Sequence, residues 1–271
     1  MNISSEIFNI PIINNVIIYE KTDSTNNIAK SFIDKGCVDG TLILAKEQTA
    51  GKGRLGRSFS SPAGEGIYMS LVLKPDISLE LISQITLPIA LSIVEAIKEI
   101  CDICPKIKWP NDIIINGNKI VGILTELKNN HVIIGIGINV NNSLFSNDIV
   151  STATSIYKET GKKYDFDTLI QSIFKKFQSH YDNLLTDKNL SSIQEAYNKC
   201  LISYGSEVYI IPHNQTLASS NPLQISTAGL TSHICKGIDS NGCLICISKS
   251  GEEFHVSSGE VSVRGLHGYA K

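Results

Sequence analysis

The chain has 271 residues, of which 42% are hydrophobic, and a formal net charge of −2 at pH 7. This length and composition predict a soluble globular protein with one large and one small domain. The charge excludes a global attraction to nucleic acid or membranes, and no uninterrupted apolar run reaches the roughly 18 residues that span a bilayer.

Strands and helices are predicted in mixed order along the first 140 residues. Asp23-Ser24-Thr25-Asn26 offers an N-cap to a helix that runs to about Lys35 and closes at Gly36. Residues 79–100 have helical periodicity, with a kink or break near Pro88. Strands are predicted at 16–20, 41–45, 67–73, 112–115, 119–127 and 131–140, with turns at Asn116-Gly117 and Asn129-Asn130.

The second half begins with a polar stretch, 141–163, to which no function is assigned. Helices are predicted at 165–185 and 190–201. From about Gly205 the pattern changes to short strands separated by turn residues, which indicates a small all-β domain. We therefore expect a division into residues 1–203 and 204–271.

The cysteines and histidines predict no metal site built from protein ligands. Seven cysteines are scattered along the chain, and the N-terminus has no cationic signal region, so we expect a cytoplasmic protein with reduced thiols. The two Cys-x-x-Cys pairs, 101/104 and 243/246, are too far apart in sequence for a zinc ribbon. We expect buried structural thiols instead. The six histidines show no ligand spacing.

The most informative segment is the cationic loop, residues 51–57 (Gly-Lys-Gly-Arg-Leu-Gly-Arg). Free backbone amides combined with cations favour a small anion. The glycine spacing satisfies GxGxxG, but a dinucleotide-binding fingerprint opens a helix, whereas a loop and a strand-like run follow here. The sequence therefore predicts a phosphate or carboxylate site of another kind.

A second cluster, residues 108–112 (Lys-Trp-Pro-Asn-Asp), contains the only tryptophan. Pro110 favours an extended Trp109, which places Lys108 at the lip of a sheet. Taken alone, such a turn is more often packing than chemistry. Polar or side-chain-free positions at 24–26, 125–126 and 135–139 strengthen the chemical interpretation.

Five blocks resemble, in order, those of biotin protein ligases: 23–26 (DSTN), 47–57 (EQTAGKGRLGR), 108–112 (KWPND), 119–126 (KIVGILTE) and 135–140 (GIGINV). Residues 258–264 also look like the closing strand of that family's C-terminal domain. The resemblance implies an α+β fold, in which a class II synthetase-like mixed sheet flanked by helices precedes a small SH3-like β-barrel. Only about 20 residues precede the first block, so we expect no DNA-binding domain and no operator binding.

The resemblance also implies two reactions and a set of residues. Biotin and ATP would form biotinyl-5′-AMP and pyrophosphate, and biotin would then pass to a lysine of a biotin carboxyl carrier protein. The implied catalytic residues are Lys108, Arg54 and Arg57. The implied biotin contacts are Ser24, Thr25, Asn26, Gln48, Lys52, Gly53, Arg54, Lys108 and Gly122. The implied nucleotide contacts are Arg54, Arg57, Phe59, Asn111, Lys119 and Asn139.

Two of these positions depart from the family pattern. Phe59 stands where the best-known members have tryptophan, which keeps a stacking face of smaller area. Lys52 stands where the family usually has arginine, and a lysine side chain does not make the bidentate contacts of an arginine. Asp112 and Lys119 are candidates for a role near the acceptor lysine or the phosphates. Mg²⁺ is expected to arrive with the nucleotide. DNA and membrane partners are not expected, and homodimerisation through sheet edges stays open.

Two alternatives remain at this point. A lipoate or octanoate ligase or transferase shares the catalytic architecture but lacks the full glycine-cation block. The second alternative is a non-catalytic biotin or adenylate sensor. Loss of Lys108 or Arg54 would support it, and both residues are present.

Overall fold

A computed structural model describes residues 4–212, 230–258 and 261–265. A seven-stranded mixed sheet forms its centre, in the spatial order β1-β2-β3-β7-β6-β5-β4. Only β1 and β2 pair in parallel; the other neighbours are antiparallel. The strands are β1 (Asn15–Tyr19), β2 (Thr41–Ala45), β3 (Gly66–Leu73), β4 (Lys106–Lys108), β5 (Asp112–Ile115), β6 (Asn118–Lys128) and β7 (His131–Asn139). The predicted mixed sheet is confirmed.

Helices cover both faces of this sheet. The helices are α1 (Thr25–Asp34), α2 (Leu79–Gln84), α3 (Thr86–Cys101), α4 (Ile156–Thr160), α5 (Phe166–Asp187) and α6 (Ser191–Cys200). One face packs against α1 through a small cluster that includes Ala29 and Ile133, and the main core lies on the other face with α3 and α5. Strands β2 and β3 are buried at every residue because they are covered on both sides.

Both predicted hairpin turns are present. Asn116 and Gly117 adopt φ of 48° and 82°, and Asn129 and Asn130 adopt 47° and 59°. Two consecutive left-handed residues are the type I′ geometry that matches the twist of the flanking strands. These turns place β5, β6 and β7 side by side, which brings the 119–126 and 135–140 blocks into register.

The predicted break in the 79–100 helix lies at Ile85, three residues before Pro88. Pro88 occupies the first turn of α3, where its missing N–H has no intrahelical partner to lose. By length and composition Leu79–Cys101 could cross a membrane, but 83% of its most apolar window is buried inside the fold. It is a core helix in the part of the chain described here.

A second sheet of five antiparallel strands follows α6, in the order β11-β10-β9-β8-β12. Its strands are β8 (Glu207–Pro212), β9 (Ser232–Ile238), β10 (Leu244–Ile247), β11 (Glu253–Val256) and β12 (Val261–Gly265). The predicted closing strand is β12, although Gly259 and Glu260 lie outside the described residues. Trp109 ties the two sheets together, because its Nε1 donates to the carbonyl of Gly242 at 3.1 Å.

The cysteine prediction is correct for only one thiol of each Cys-x-x-Cys pair. Cys101 and Cys246 are buried, whereas Cys104 is exposed and Cys243 is half-buried. Cys104 lies in the loop after α3, and Cys243 directly follows the turn before β10, so both stand outside the regular elements that bury Cys101 and Cys246. Burial raises the pKa of Cys101 and of Cys246 to about 12, which keeps both as neutral thiols.

Candidate active site

The cationic loop folds back on itself between β2 and β3. The Gly53 N–H donates to the Arg57 carbonyl at 2.8 Å, and the Phe59 N–H donates to the Gly51 carbonyl at 2.8 Å. Between these bonds, residues 54–56 form one 3-10 turn, in which Leu55 has a left-handed φ of 57°. No helix follows, as the sequence predicted. The result is a lobe with Arg54 half-buried at its base and Arg57 exposed.

Arg54 is held from two directions. Its Nη1 donates to the Asn111 Oδ1 at 3.0 Å, and its Nη2 donates to the Ser258 carbonyl at 2.9 Å. Asn111 is itself fixed, because its Nδ2 donates to the Ile123 carbonyl at 3.0 Å. Burial lowers the pKa of Arg54, which the nearby Asp112 carboxylate partly opposes. A guanidinium remains charged under these conditions, so Arg54 is a preorganised cation.

Two further cations lie opposite the loop. Lys119 pairs with Asp112, with its Nζ 2.7 Å from the Oδ1. Lys108, at the end of β4, is in register with Asp112 of β5. Lys108 is the last residue of β4 and Asp112 is the first residue of β5, so both lie at the same end of this antiparallel pair. The sequence placed Lys108 at the lip of a sheet, and the structure confirms that position.

These elements enclose a cleft, here called the cationic cleft. Among the described residues that line it are five cationic side chains and one carboxylate, Asp112. This excess of positive charge favours an anionic ligand. The cleft brings together nine of the predicted site residues: Lys52, Gly53, Arg54, Arg57, Phe59, Lys108, Asn111, Lys119 and Gly122.

A small polar pocket lies beside the cationic cleft, where β1 passes into α1. Ser24, Thr25 and Asn26 are buried there, and Gln48 closes the side. The Thr25 N–H donates to the Gln48 Oε1 at 2.8 Å, so Gln48 satisfies an unpaired amide of the first helical turn. The Gln48 Nε2 in turn donates to Ser61 Oγ at 2.9 Å. Thr25 and Gln48 are therefore directly connected, and Ser24 and Asn26 line the same pocket.

Glycines form the floor of the polar pocket. A Cβ on Gly135 would overlap the Asn26 Oδ1, and one on Gly137 would lie 2.5 Å from the Phe59 ring. Gly122 likewise lies under Phe59 and the Lys119 side chain. The sequence identified Gly135 and Gly137 as side-chain-free positions. The sequence did not predict that Asn26 lies against Gly135 and Phe59 against Gly137.

A third pocket, here called the outer pocket, lies on the other side of Phe59. Asn139 and Lys119 line it together with residues from the stretch 146–153. Asn139 is buried, and its Nδ2 donates to the Thr154 carbonyl at 3.1 Å. The same stretch runs beside the start of β6, where the Lys119 N–H donates to the Thr152 carbonyl at 2.8 Å. Sequence reasoning left 141–163 without a function because it has neither periodicity nor a motif.

Sequence reasoning missed Ser70 and Lys30, which lie behind the polar pocket, and identified Glu126 only as a polar position without a partner residue. Ser70 is fully buried in β3, and Glu126 and Lys30 form an ion pair of 2.6 Å. The available signal was a single polar residue in the otherwise apolar run Gly66–Leu73. A buried serine in such a strand requires a hydrogen-bond partner.

The described residues include no group of three or more histidine, cysteine or acidic side chains that could hold a metal. Asp112 is the carboxylate at the cationic cleft and is engaged by Lys119. This donor set suits a cation such as Mg²⁺ that keeps several waters and takes further ligands from bound phosphates.

The family model "Biotin/lipoate A/B protein ligase family" matches residues 18–139. A biotin–[acetyl-CoA-carboxylase] ligase of Paracoccus denitrificans is 30% identical over 247 residues, which cover 86% of this chain and 94% of that protein. The chain belongs to the biotin protein ligase family. Every site residue predicted from the sequence, from Ser24 to Asn139, lies within the matched range.

Two other similarities agree with this membership of the biotin protein ligase family. The bifunctional ligase/repressor BirA of Bacillus subtilis is 42% identical over 178 residues, which cover 63% of this chain. The match spans only about half of that relative, 55% of its length. The biotin protein ligase of Aquifex aeolicus, solved in complex with biotin and ATP, has a TM-score of 0.77 and 28% identity, with 93% of this chain and 100% of that chain covered.

Proposed function

We propose that this protein is a biotin protein ligase, which forms biotinyl-5′-AMP from biotin and ATP and transfers biotin to a carrier lysine. The observation that carries the proposal is that three neighbouring pockets share one lining residue. Phe59 lines the polar pocket, the cationic cleft and the outer pocket. A polar ring, a carboxylate meeting a phosphate, and an adenosine would occupy them in that order.

The biotin end is assigned to the polar pocket. The ureido ring needs both donors and acceptors, which Ser24, Thr25, Asn26 and Gln48 supply. The tail would run along Gly122 and the backbone from Lys52 to Arg54 towards the cationic cleft. Lys52 is exposed, with its Nζ 2.5 Å from the Asn27 Oδ1. We therefore assign only the backbone of Lys52 to the biotin contact and give its ammonium group no role.

The first reaction joins two anions. An oxygen of the biotin carboxylate attacks the α-phosphorus of ATP, the α–β bridging bond breaks, and pyrophosphate leaves. Lys108, Arg54 and Arg57 are assigned to stabilise the charge that develops there, Lys108 between the carboxylate and the α-phosphate. Removing one such cation is expected to lower the rate by roughly 10²- to 10³-fold, by analogy with an oxyanion-hole donor. Mg²⁺ would enter with the nucleotide and neutralise the leaving pyrophosphate.

The nucleotide end is assigned to the outer pocket and the adjoining part of the cationic cleft. Phe59 would stack on the adenine, and Asn139 would lie at its edge. Asn111 and Lys119 would lie near the phosphates. Asn111 would act by holding the guanidinium of Arg54, its hydrogen-bond partner.

In the second reaction, the acceptor ε-amine attacks the acyl carbon of biotinyl-AMP and AMP leaves. The amine must lose a proton, and the Asp112 carboxylate is the acidic group at the cleft. Asp112 and Lys119 are therefore our candidates for this step. The proposed acceptor is a biotin carboxyl carrier protein, in keeping with the name of the Paracoccus denitrificans relative.

The remaining proposals concern organisation. We assign catalysis to residues 1–203 and propose that residues 204–271, with their five-stranded antiparallel sheet, form an SH3-like barrel. The contact between Arg54 and the Ser258 carbonyl supports a role for this second unit in holding the cationic loop. A cytoplasmic location is proposed because all seven cysteines are free.

Exchange of radiolabel between pyrophosphate and ATP tests the proposed function. The purified protein is assayed with biotin, lipoate or octanoate, beside a Lys108→Ala variant. We expect exchange with biotin alone, and its collapse in the variant. Exchange only with lipoate or octanoate would move the protein to the sister activity, and binding of biotin without any exchange would indicate a sensor.

A further inference from the structure

The side chain of Asn26 is held at both ends by groups behind the polar pocket. Its Nδ2 donates to the Glu126 Oε2 at 2.8 Å, and its Oδ1 accepts from the Ser70 hydroxyl at 2.6 Å. Asn26 and Ser70 are buried, with 4% and 0% of their surface exposed. A Cβ on Gly135 would overlap the Asn26 Oδ1, so the amide is confined on that side as well.

The two ends of an asparagine amide have nearly the same shape, so hydrogen-bond partners decide its orientation. Ser70 does not decide it, because a hydroxyl both donates and accepts. An ionised carboxylate only accepts, so Glu126 fixes the NH₂ group of Asn26 on its own side. The carbonyl of Asn26 is thereby turned away from Glu126, towards Ser70 and against Gly135, which lines the polar pocket.

Lys30 keeps Glu126 ionised. Its Nζ lies 2.6 Å from the Glu126 Oε1, the oxygen that does not face Asn26. Burial raises the pKa of Glu126, but hydrogen bonds from Lys30 and Asn26 outweigh burial, and the pKa is lowered overall. The positive charge of Lys52 also lowers the pKa of Glu126. The carboxylate is thus an acceptor at neutral pH.

We propose that Glu126, held by Lys30, is a positioning residue that turns the Asn26 carbonyl towards the polar pocket and so selects ligands presenting an N–H donor there. The ureido ring of biotin has two such donors. This inference rests on the proposed function, since it assumes that biotin binds in this pocket. It adds a specificity device on α1 and β6 that lies behind the ligand-contacting residues.

The test exchanges the two charges in a Lys30→Glu/Glu126→Lys variant. The ion pair between α1 and β6 is retained, but the group that faces Asn26 becomes a donor. The amide then turns over and presents its NH₂ group to the pocket. A matched control exists one turn further along α1, where Lys128 of β6 pairs with Asp34. Its exchanged form, Asp34→Lys/Lys128→Asp, also reverses a bridge between α1 and β6.

Biotin binding is measured by calorimetry for wild type and both exchanged proteins, together with the two cyclic carbamates in which oxygen replaces one ring N–H of biotin. In the Lys30→Glu/Glu126→Lys protein we expect the Kd for biotin to rise on the order of 10- to 100-fold, the cost of one mismatched buried hydrogen bond. The preference for biotin over one of the carbamates should fall, because oxygen accepts from the turned amide. The KM for ATP of the Lys30→Glu/Glu126→Lys protein in the exchange assay should stay at the wild-type value. The Asp34→Lys/Lys128→Asp control protein should keep the wild-type Kd for biotin and the wild-type preference.

A Glu126→Gln variant provides a second test in case the exchanged protein does not fold. Glutamine has the same size and can offer either end to Asn26, so the preference for biotin over the carbamate should weaken while the protein still unfolds in one cooperative thermal transition. Wild-type affinity and preference in both variants would overturn the inference. If wild type itself binds no biotin, it is the proposed function that fails, and the two failures are therefore distinguishable.

Discussion

Gly137→Ala is expected to weaken ATP binding without unfolding the protein. The added Cβ would lie 2.5 Å from the Phe59 Cε1 and 2.8 Å from the Cδ1 and Cζ. Carbon atoms pack at about 3.5–4.0 Å, so ring and strand must separate by about 1 Å. Gly137 is paired with Tyr68 of β3 on one side and with Gly122 of β6 on the other, so the strand cannot give way.

The ring must therefore move, since Phe59 lies in a half-buried loop segment. If Phe59 stacks on adenine as proposed, displacing it forfeits a contact of roughly 1–3 kcal/mol, which is about a 5- to 150-fold rise in the KM for ATP. The KM for biotin should change less, and the melting temperature should stay close to that of wild type because a loop absorbs the strain.

The assay is ATP/pyrophosphate exchange on Gly137→Ala, Phe59→Ala and the double variant. Once Phe59 is absent, the extra methyl group has no ring to displace, so Gly137→Ala should cost nothing further in that background. An unchanged KM for ATP in the single variant would refute the reasoning. An equal rise in the KM for ATP from Gly137→Ala in the wild-type and the Phe59→Ala proteins would also refute the reasoning, because the methyl group would then act through something other than Phe59.

Three other outcomes are expected. Asn111→Ala should lower the exchange rate by about 10- to 150-fold, because Arg54 loses a hydrogen bond made by a charged group; an unchanged rate would show that this bond does not position it. Trp109→Phe should lower the free energy of unfolding in urea by about 1–3 kcal/mol, because the Gly242 carbonyl loses its partner; equal stability contradicts this. The folded-state pKa of Glu126 lies below 4.5, so its stabilising effect is complete above that pH and is lost as the pH falls through the lowered pKa. The stability difference between wild type and Glu126→Gln should therefore shrink in acid, and a constant difference would refute it.

Local signals predicted most of the secondary structure. Asn116-Gly117 set a type I′ turn, and hydrophobic periodicity located α5 and α6 to within a few residues. The break before α3 was predicted from Pro88 but lies at Ile85, because proline is tolerated in a first helical turn. Pro88 thus indicated that a helix begins nearby but did not fix the residue at which it begins.

The candidate site was predicted as separate blocks, and its internal connections were not. Lys108 and the cationic loop carry composition signals, so they were found. Ser70 and Glu126 hydrogen-bond to Asn26, and Lys30 pairs with Glu126; such contacts between distant parts of the chain leave no spacing pattern in the sequence. The stretch 146–153 was missed for a related reason, since it joins the outer pocket through backbone bonds to Lys119.

Transfer of biotin to a carrier lysine is the most direct test of the central claim. The purified protein is incubated with ATP, Mg²⁺, biotin and a biotin carboxyl carrier domain, and the intact mass of the carrier is measured. The account predicts the addition of one biotinyl group, dependent on ATP and lost when the acceptor lysine is replaced by arginine. A carrier that stays unmodified with biotin, or one modified only when lipoate or octanoate is supplied, would contradict it.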